Sequence, residues 1–194
     1  MIIYGRLENR LMIRPFTIAL LGTLLGASTF AQQNAVTPPH TNLKVGDVAP
    51  DFTLPATTGE KVTLSSFRGK APVVLAFFPA AFTGGCTKEM LGYQASLSKF
   101  EGASTKIFGI SGDNTPSQKE FAKQLNVAFP ILSDFTSRKV MADYGVLLPN
   151  SGMANRTTFV IDKDGKIVHI EEGSGAIDPS GAEMACSKLA HNTK

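Results

Sequence analysis

The sequence predicts an α/β fold with a mixed central sheet, helices on both faces and an N-terminal β-hairpin. Three observations predict it. Residues 73–78 are almost wholly apolar, as in a strand that is buried on both faces. This run leads through a proline and glycine turn into an amphipathic helical pattern. A second strand and helix follow, and then a hairpin and a closing helix, an order typical of a sheet that is covered on both faces.

The predicted elements follow one another in a simple order. Residues 52–54 and 61–64 are predicted to form the first hairpin, and residues 65–69 a helical turn. After a strand at residues 106–111, Thr115-Pro116-Ser117-Gln118 is predicted to be a capping box that opens a helix reaching about residue 126. The remaining predicted elements are a short strand at 129–132, a helix at 138–144, a hairpin of 157–161 with 166–171, and a helix after Pro179.

The first residues are predicted to lie outside this fold. Arg6, Arg10 and Arg14 form a basic region, and the apolar run that follows ends in Thr29-Phe30-Ala31, with small residues three and one positions before a cleavage point. The pattern predicts a signal peptide over residues 1–31, starting at Met1 or Met12, and hence a periplasmic or secreted protein. An uncleaved membrane anchor is the alternative, but the apolar run is short for a span. Residues 32–43 are predicted to be a linker, and residues 44–194 the folded domain.

Composition argues against several classes of function. The chain has 194 residues and a net charge of +3, enough for one ordinary domain and a leader. Lysine and arginine are scattered without a basic stripe, so no nucleic-acid partner is predicted. The two cysteines lie far apart without a Cys-x-x-Cys pair, and the histidines, His40, His169 and His191, stand in unrelated contexts. No metal site is therefore predicted.

Cys86 carries the strongest chemical signal. It follows Thr83 and two glycines, where the strand at residues 73–78 meets a helix. The helical pattern places five side chains on one face: Cys86, Met90, Tyr93, Leu97 and Phe100. The first turn of a helix offers unpaired N–H groups and the positive end of the macrodipole, which favour the nucleophilic thiolate. Pro79 stiffens the turn. The two glycines and the strand–loop–helix setting favour a reactive cysteine over the alternative of a structural one.

The spacing Pro79-x-x-x-Thr83-x-x-Cys86 resembles the peroxidatic-cysteine signature of the peroxiredoxins, the alkyl hydroperoxide reductase/thiol-specific antioxidant family. Residues 129–134, Tyr144-Gly145-Val146 and residues 155–162 look like the second half of the same fold. The chain looks most like the one-cysteine E-type branch, with the Q-type (bacterioferritin-comigratory) branch as near neighbour. The resemblance covers about residues 44–189 and implies a thioredoxin-like fold.

The resemblance also implies a function. The protein would reduce hydrogen peroxide and organic hydroperoxides through a sulfenic acid at Cys86, without a cofactor. Arg156, at the start of a strand, would stabilise the thiolate and polarise the peroxide, although by itself it looks like a solvated strand-end arginine. Thr83 would hydrogen-bond the sulfur and a peroxide oxygen, and Pro79 would hold the turn. A thioredoxin-like protein or a small thiol would return the electrons, and a homodimer stays open.

Several alternatives remain at this stage. Cys186 lies in a predicted core stripe of the last helix, yet a role as resolving cysteine stays open. Glu89 is either part of the site, as in the E-type branch, or a residue that compensates the helix dipole. A thiol–disulfide oxidoreductase would need a second cysteine where Thr83 stands, and a copper-delivery protein would need one where Met90 stands. A non-enzymatic holdase of the same fold is the remaining alternative.

Overall fold

The central sheet is built around its most apolar strand. The computed structural model describes residues 40–191, and within them the strands are β1 (Thr53–Pro55), β2 (Lys61–Thr63), β3 (Val73–Phe77), β4 (Lys106–Ser111), β5 (Ile131–Ser133), β6 (Leu147–Leu148), β7 (Met153–Ala154), β8 (Thr157–Ile161) and β9 (Ile167–Glu172). The main sheet has the order β5-β4-β3-β8-β9. Strands β3, β4 and β5 run parallel, whereas β8 and β9 are antiparallel to their neighbours. The predicted mixed sheet is confirmed.

Two layers cover the sheet. The α-helices within residues 40–191 are α1 (Gly84–Ala95), α2 (Leu97–Gly102), α3 (Thr115–Leu125), α4 (Lys139–Asp143) and α5 (Ser180–His191). Successive side chains of β3 point to opposite faces of the sheet. Val73, Leu75 and Phe77 share a core with α4 and the β1–β2 hairpin. Val74 and Ala76 share the other core with α1, α2, α3 and α5. Helices on both faces and the N-terminal hairpin were both predicted, and both are confirmed.

The long helix predicted to start at Cys86 is in fact two helices. At Ser96 the backbone takes φ −95° and ψ 2°, so α1 ends there and α2 begins one residue later. Met90 and Phe100, on either side of the break, are nevertheless both buried in the same core. The apolar spacing therefore predicts the buried face correctly, although it does not reveal the break.

The predicted capping box of α3 is wrong by one residue. Asn114 rather than Thr115 is the N-cap, and its side chain accepts a hydrogen bond from the Ser117 N–H at 2.9 Å. Asparagine is among the best N-cap residues, so it takes this position ahead of the threonine. Gln118, predicted as the return arm of the box, instead points into the protein, where its amide donates to Ser111 and Leu132.

The residues of interest lie at one end of the strands of the main sheet. The carboxyl ends of β3, β4 and β5 lie together because these strands are parallel. β8 runs the opposite way and pairs its first residue, Thr157, with Phe77, the last residue of β3. The segment before β8 therefore meets the loop after β3, although Arg156 and Cys86 are 70 residues apart in the chain.

The segment just before the predicted domain is part of the fold. Thr41 donates its backbone N–H to Glu172 at 2.9 Å and its hydroxyl to the Tyr144 carbonyl at 2.6 Å. His40 contacts the same Glu172 carboxylate at 2.9 Å. The predicted signal peptide, residues 1–31, and most of the predicted linker lie outside the described residues. Between residues 40 and 191, no helix is long and apolar enough to cross a membrane.

Candidate active site

Cys86 lies in the first turn of α1, as predicted. The helix begins at Gly84, and its N-cap, Thr83, has an extended backbone with φ −92° and ψ 147°. The first intrahelical bond runs from the Thr87 N–H to the Thr83 carbonyl at 2.9 Å. The N–H groups of Gly84, Gly85 and Cys86 precede this bond and have no carbonyl partner within the helix. The sulfur is fully buried beside these donors, which stabilise an anion.

Arg156 is the residue that contacts the sulfur. Its Nη2 donates to Cys86 Sγ over 3.3 Å, and the arginine side chain is only 11% exposed. The solvated strand-end arginine that the residue alone suggests is therefore not what the structure contains. A cation that is largely shielded from water and touches the sulfur stabilises the thiolate more strongly than a surface charge does.

Glu89 holds the other arm of the guanidinium. It lies one turn after Cys86 on α1, is 0% exposed, and its Oε2 accepts a hydrogen bond from Arg156 Nη1. The second carboxylate oxygen, Oε1, has no hydrogen-bond partner among the described residues. Because it is buried and paired with Arg156, Glu89 fits the role of orienting the arginine better than that of compensating the helix dipole. The spacing of three residues after the cysteine was its sequence signal, but burial and the ion pair were not visible there.

Thr83 and Pro79 lie in the loop between β3 and α1. The Thr83 hydroxyl donates to the Ala80 carbonyl at 3.0 Å and not to the Cys86 sulfur, the contact expected from the resemblance. The reason is local, because the hydroxyl closes the turn that it belongs to. Its oxygen keeps lone pairs that can accept a hydrogen bond from a ligand. Pro79 is half-buried at the start of this loop, directly after the apolar Phe78.

Gly85 is required by the closeness of the arginine. A Cβ at this position would lie 3.2 Å from Arg156 Nη2, the atom that bonds the sulfur. That distance is shorter than ordinary van der Waals contact, so any side chain would push the guanidinium away. The glycine pair therefore matters less for the flexibility of the loop than for the space that the second glycine leaves.

Cys186 lies at the other end of the sheet. Its thiol is buried within hydrogen-bonding reach of Thr105, the residue before β4, and burial raises its pKa to about 11. The first residue of β4 pairs with Val73, whereas Thr157, the residue after Arg156, pairs with Phe77, four residues along β3. Thr105, which Cys186 contacts, and Arg156, which Cys86 contacts, therefore lie at opposite ends of β3. Both cysteines are free thiols.

The described part of the chain contains no group of three or more His, Cys, Asp or Glu side chains placed to hold a metal ion. His169 contacts Glu171 at 3.5 Å on β9, and His40 contacts Glu172 at 2.9 Å. Both histidines thus pair with a single carboxylate each. The reactive groups brought together in this fold are a thiol, a guanidinium and a carboxylate.

Comparison with known proteins matches this chain to one family. Residues 45–170 match the AhpC/TSA family. A protein named putative peroxiredoxin Q, chloroplastic, from Oryza sativa subsp. indica is 37% identical over 170 residues, which cover 82% of this chain and 77% of the rice protein. Alkyl hydroperoxide reductase E of Mycobacterium tuberculosis is 42% identical over 126 residues, covering 64% of this chain and 82% of that protein. The crystal structure of peroxidoxin BcpB from Mycobacterium tuberculosis matches with a TM-score of 0.69 and 36% identity, over 77% of this chain and 97% of that one. The predicted thioredoxin-like fold is confirmed.

The predicted periplasmic or secreted location is wrong on this comparison. The plant relatives, from rice and wheat, are named as chloroplastic proteins, which is neither a periplasmic nor a secreted location. The physical reason for the error lies in the pattern itself. Arg6, Arg10 and Arg14 match the basic region of a signal peptide, yet the transit peptides of organelles are also rich in arginine and poor in acidic residues.

Proposed function

The chain belongs to the AhpC/TSA family of thiol-dependent peroxidases, and on this premise we propose that Cys86 is the residue that reduces the hydroperoxide. The observation that carries the proposal is the contact of 3.3 Å between Arg156 Nη2 and Cys86 Sγ, in the first turn of α1. In this position Arg156 and the first turn of α1 stabilise the thiolate, and the hydrogen bond from Arg156 fixes the orientation of the sulfur. Cys186, the other cysteine, has a buried thiol with a raised pKa and therefore lacks this activation.

The reaction is a displacement on oxygen. The Cys86 thiolate attacks one oxygen of a hydroperoxide, a sulfur–oxygen bond forms and the oxygen–oxygen bond breaks. The second oxygen leaves with the electron pair, takes up a proton and departs as water or an alcohol. The sulfur is oxidised by two electrons to a sulfenic acid. The barrier depends on stabilising the charge that develops on the leaving oxygen, so oriented donors near the sulfur dominate the rate.

The neighbouring residues supply those donors. Arg156 presents a planar, permanently charged fork, with one nitrogen on the sulfur and the other held by Glu89. The Thr83 hydroxyl donates its hydrogen bond to the Ala80 carbonyl, so its oxygen can accept a hydrogen bond from the bound hydroperoxide and orient it. The N–H groups of the first turn of α1 add to the stabilisation of the leaving oxygen. Pro79 acts at one remove, as a positioning residue that stiffens the loop.

The electrons that return the sulfenic acid to the thiol come from outside the chain. Cys186 contacts Thr105 at the opposite end of β3 from Arg156, and both cysteines are free thiols, which supports a one-cysteine cycle. One external thiol attacks the sulfenic acid and releases water, and a second thiol resolves the mixed disulfide. A thioredoxin-like protein or a small thiol fits this role. Hydrogen peroxide and organic hydroperoxides are the substrate class, and a homodimer remains a proposal.

Mass spectrometry after one equivalent of hydrogen peroxide tests the assignment. We expect a sulfenic acid on the Cys86 peptide, trapped with a dimedone probe, and no product in Cys86→Ser. A stoichiometric disulfide between Cys86 and Cys186 would overturn the one-cysteine cycle. Two further outcomes belong to the alternatives: peroxide reduction that survives in Cys86→Ser would contradict the assignment of this residue, and activity confined to disulfide exchange would favour a thiol–disulfide oxidoreductase.

A further inference from the structure

The loop that carries Cys86 is held down by a carboxylate on the neighbouring strand connection. We propose that Asp113 is a positioning residue that keeps residues 79–83 in the conformation in which Cys86 is buried against Arg156. Its release would open the sulfur to bulky partners. The part of this inference that concerns the reaction rate rests on the proposed function of Cys86, whereas the part that concerns accessibility does not.

A single oxygen atom makes the connection. Asp113 Oδ2 accepts the backbone N–H of Ala81 at 2.8 Å and the hydroxyl of Ser111 at 2.8 Å. Ala81 lies five residues before Cys86, in the middle of the loop. Hydrogen bonds to a carboxylate are stronger than those between neutral groups, so this is a firm attachment for a segment without regular structure.

Asp113 is itself fixed by buried groups. Ser111, which is 0% exposed, also accepts a hydrogen bond from Gln118 Nε2 at 2.9 Å, and the same nitrogen donates to the Leu132 carbonyl at 2.9 Å. The hydroxyl of Ser133 donates to the backbone carbonyl of Asp113 at 2.6 Å. The chain of bonds thus runs from β5 and α3 through β4 to the loop, and each of these elements belongs to the core.

The loop needs such an attachment because its own conformation is unfavourable. Phe82 has φ 63°, in the left-handed region that a bulky residue rarely adopts, and it is 53% exposed. Its ring packs on Phe121 of α3 at 5.2 Å between centroids. Besides the local bond from the Thr83 hydroxyl to the Ala80 carbonyl, the loop is held from outside by this ring contact and by the hydrogen bond from Ala81 to Asp113. Loss of the carboxylate removes the polar half of that restraint.

A comparison of three variants tests the proposal. Asp113→Ala removes the acceptor, Asp113→Asn keeps one amide oxygen of the same shape, and Asp162→Ala is the matched control. Asp162 also accepts two backbone N–H groups, those of Asp164 at 2.9 Å and Lys166 at 2.8 Å. It follows the residue of β8 that pairs with Val73, at the opposite end of the sheet from Cys86.

The readout is the ratio of the alkylation rates of Cys86 by a bulky polymer-linked maleimide and by iodoacetamide, assigned by peptide mass spectrometry. For Asp113→Ala we expect this ratio to rise about tenfold or more, and amide exchange at Ala81 to accelerate by a similar factor. Oxidation of Cys86 by peroxide should slow about tenfold. About tenfold is the scale for losing a hydrogen bond to a charged group. Asp113→Asn is expected to stay within about threefold of wild type, because an amide oxygen still accepts. Asp162→Ala is expected to leave the ratio unchanged.

An unchanged ratio in Asp113→Ala would overturn the proposal, and so would an equal rise in Asp162→Ala, which would indicate general loosening. If Asp113→Ala does not fold, Ser111→Ala serves instead. It removes one donor to Oδ2 and is expected to raise the ratio about threefold, the lower end of the range for a hydrogen bond; no rise would overturn the proposal. Alkylation and amide exchange involve no peroxide, so a wild-type protein that failed to reduce peroxide would refute the function and leave this test intact.

Discussion

Replacing Arg156 with alanine is expected to have two separable effects, one on the reaction and one on the fold. The guanidinium divides its nitrogens between Cys86 Sγ, at 3.3 Å, and the carboxylate of Glu89. Losing one oriented donor slows reactions of this kind about 10²–10³-fold, or about 2.7–4 kcal/mol of activation free energy. Losing the ion pair leaves a carboxylate that is 0% exposed without its counter-charge. The typical cost of that is about 3–5 kcal/mol in the free energy of unfolding.

A double variant separates the two effects. Glu89→Gln removes the buried charge and keeps the shape, so in Arg156→Ala/Glu89→Gln no carboxylate is left unpaired. Relative to Arg156→Ala, we expect most of the free energy of unfolding to return while the oxidation rate of Cys86 stays low. Arg156→Lys keeps the charge without the planar fork and should give an intermediate rate.

The chain contains no tryptophan, so oxidation is best followed by quenched flow, with alkylation and mass spectrometry of the Cys86 peptide. Stability is measured by urea unfolding followed by circular dichroism. An oxidation rate in Arg156→Ala within about threefold of wild type would refute the assignment of Arg156 as the donor. Recovery of the rate together with the stability in the double variant would assign the arginine a purely structural role.

Two further predictions concern Gly85 and Cys186. Gly85→Ala places a methyl group 3.2 Å from Arg156 Nη2. We expect it to lower the oxidation rate of Cys86 about threefold to tenfold, because a catalytic group displaced by about 1 Å can cost about 10²-fold in rate. An unchanged quenched-flow rate would contradict this. The buried Cys186 thiol has its pKa raised to about 11, so the unfolded chain loses this proton at a lower pH than the folded one. The resulting stabilisation is fully present at a pH below about 8.5, the pKa of the thiol in the unfolded chain. It is lost as the pH rises towards about 11, the pKa in the folded chain. Urea unfolding should therefore show wild type losing about 1–3 kcal/mol more than Cys186→Ala between pH 8 and pH 11, and parallel pH profiles would contradict this.

The sequence predicts the sheet, both of its covering layers and the position of Cys86, because these depend on apolar periodicity and on glycine and proline. The spacing of apolar residues does not reveal features that leave the buried face unchanged. The break at Ser96 keeps Met90 and Phe100 in one core and could not be seen for that reason. The strands β6 and β7 are two residues long, too short for a period to register.

The candidate site was predicted in its residues but not in its contacts. The resemblance supplied Arg156, but its partner Glu89 became evident only when the fold buried both side chains together. The hydroxyl of Thr83 was expected to form a hydrogen bond with the sulfur. It instead donates to the Ala80 carbonyl, because the geometry of the turn brings these two groups together. Asp113 is not singled out by the sequence, because its hydrogen bond to Ala81 joins residues 32 positions apart. Contacts of this kind depend on tertiary packing, which no local pattern encodes.

The placement of the two thiols at opposite ends of the sheet has a kinetic consequence. A protein that stores its oxidation as an internal disulfide is shielded from further damage while it waits for a reductant. Under the proposed one-cysteine cycle, the sulfenic acid on Cys86 would have no such protection. An incoming thiol would compete with a second hydroperoxide, which would oxidise the sulfenic acid to an irreversible sulfinic acid. In this cycle, the fraction of protein that stays active would fall as the ratio of hydroperoxide to thiol around the molecule rises.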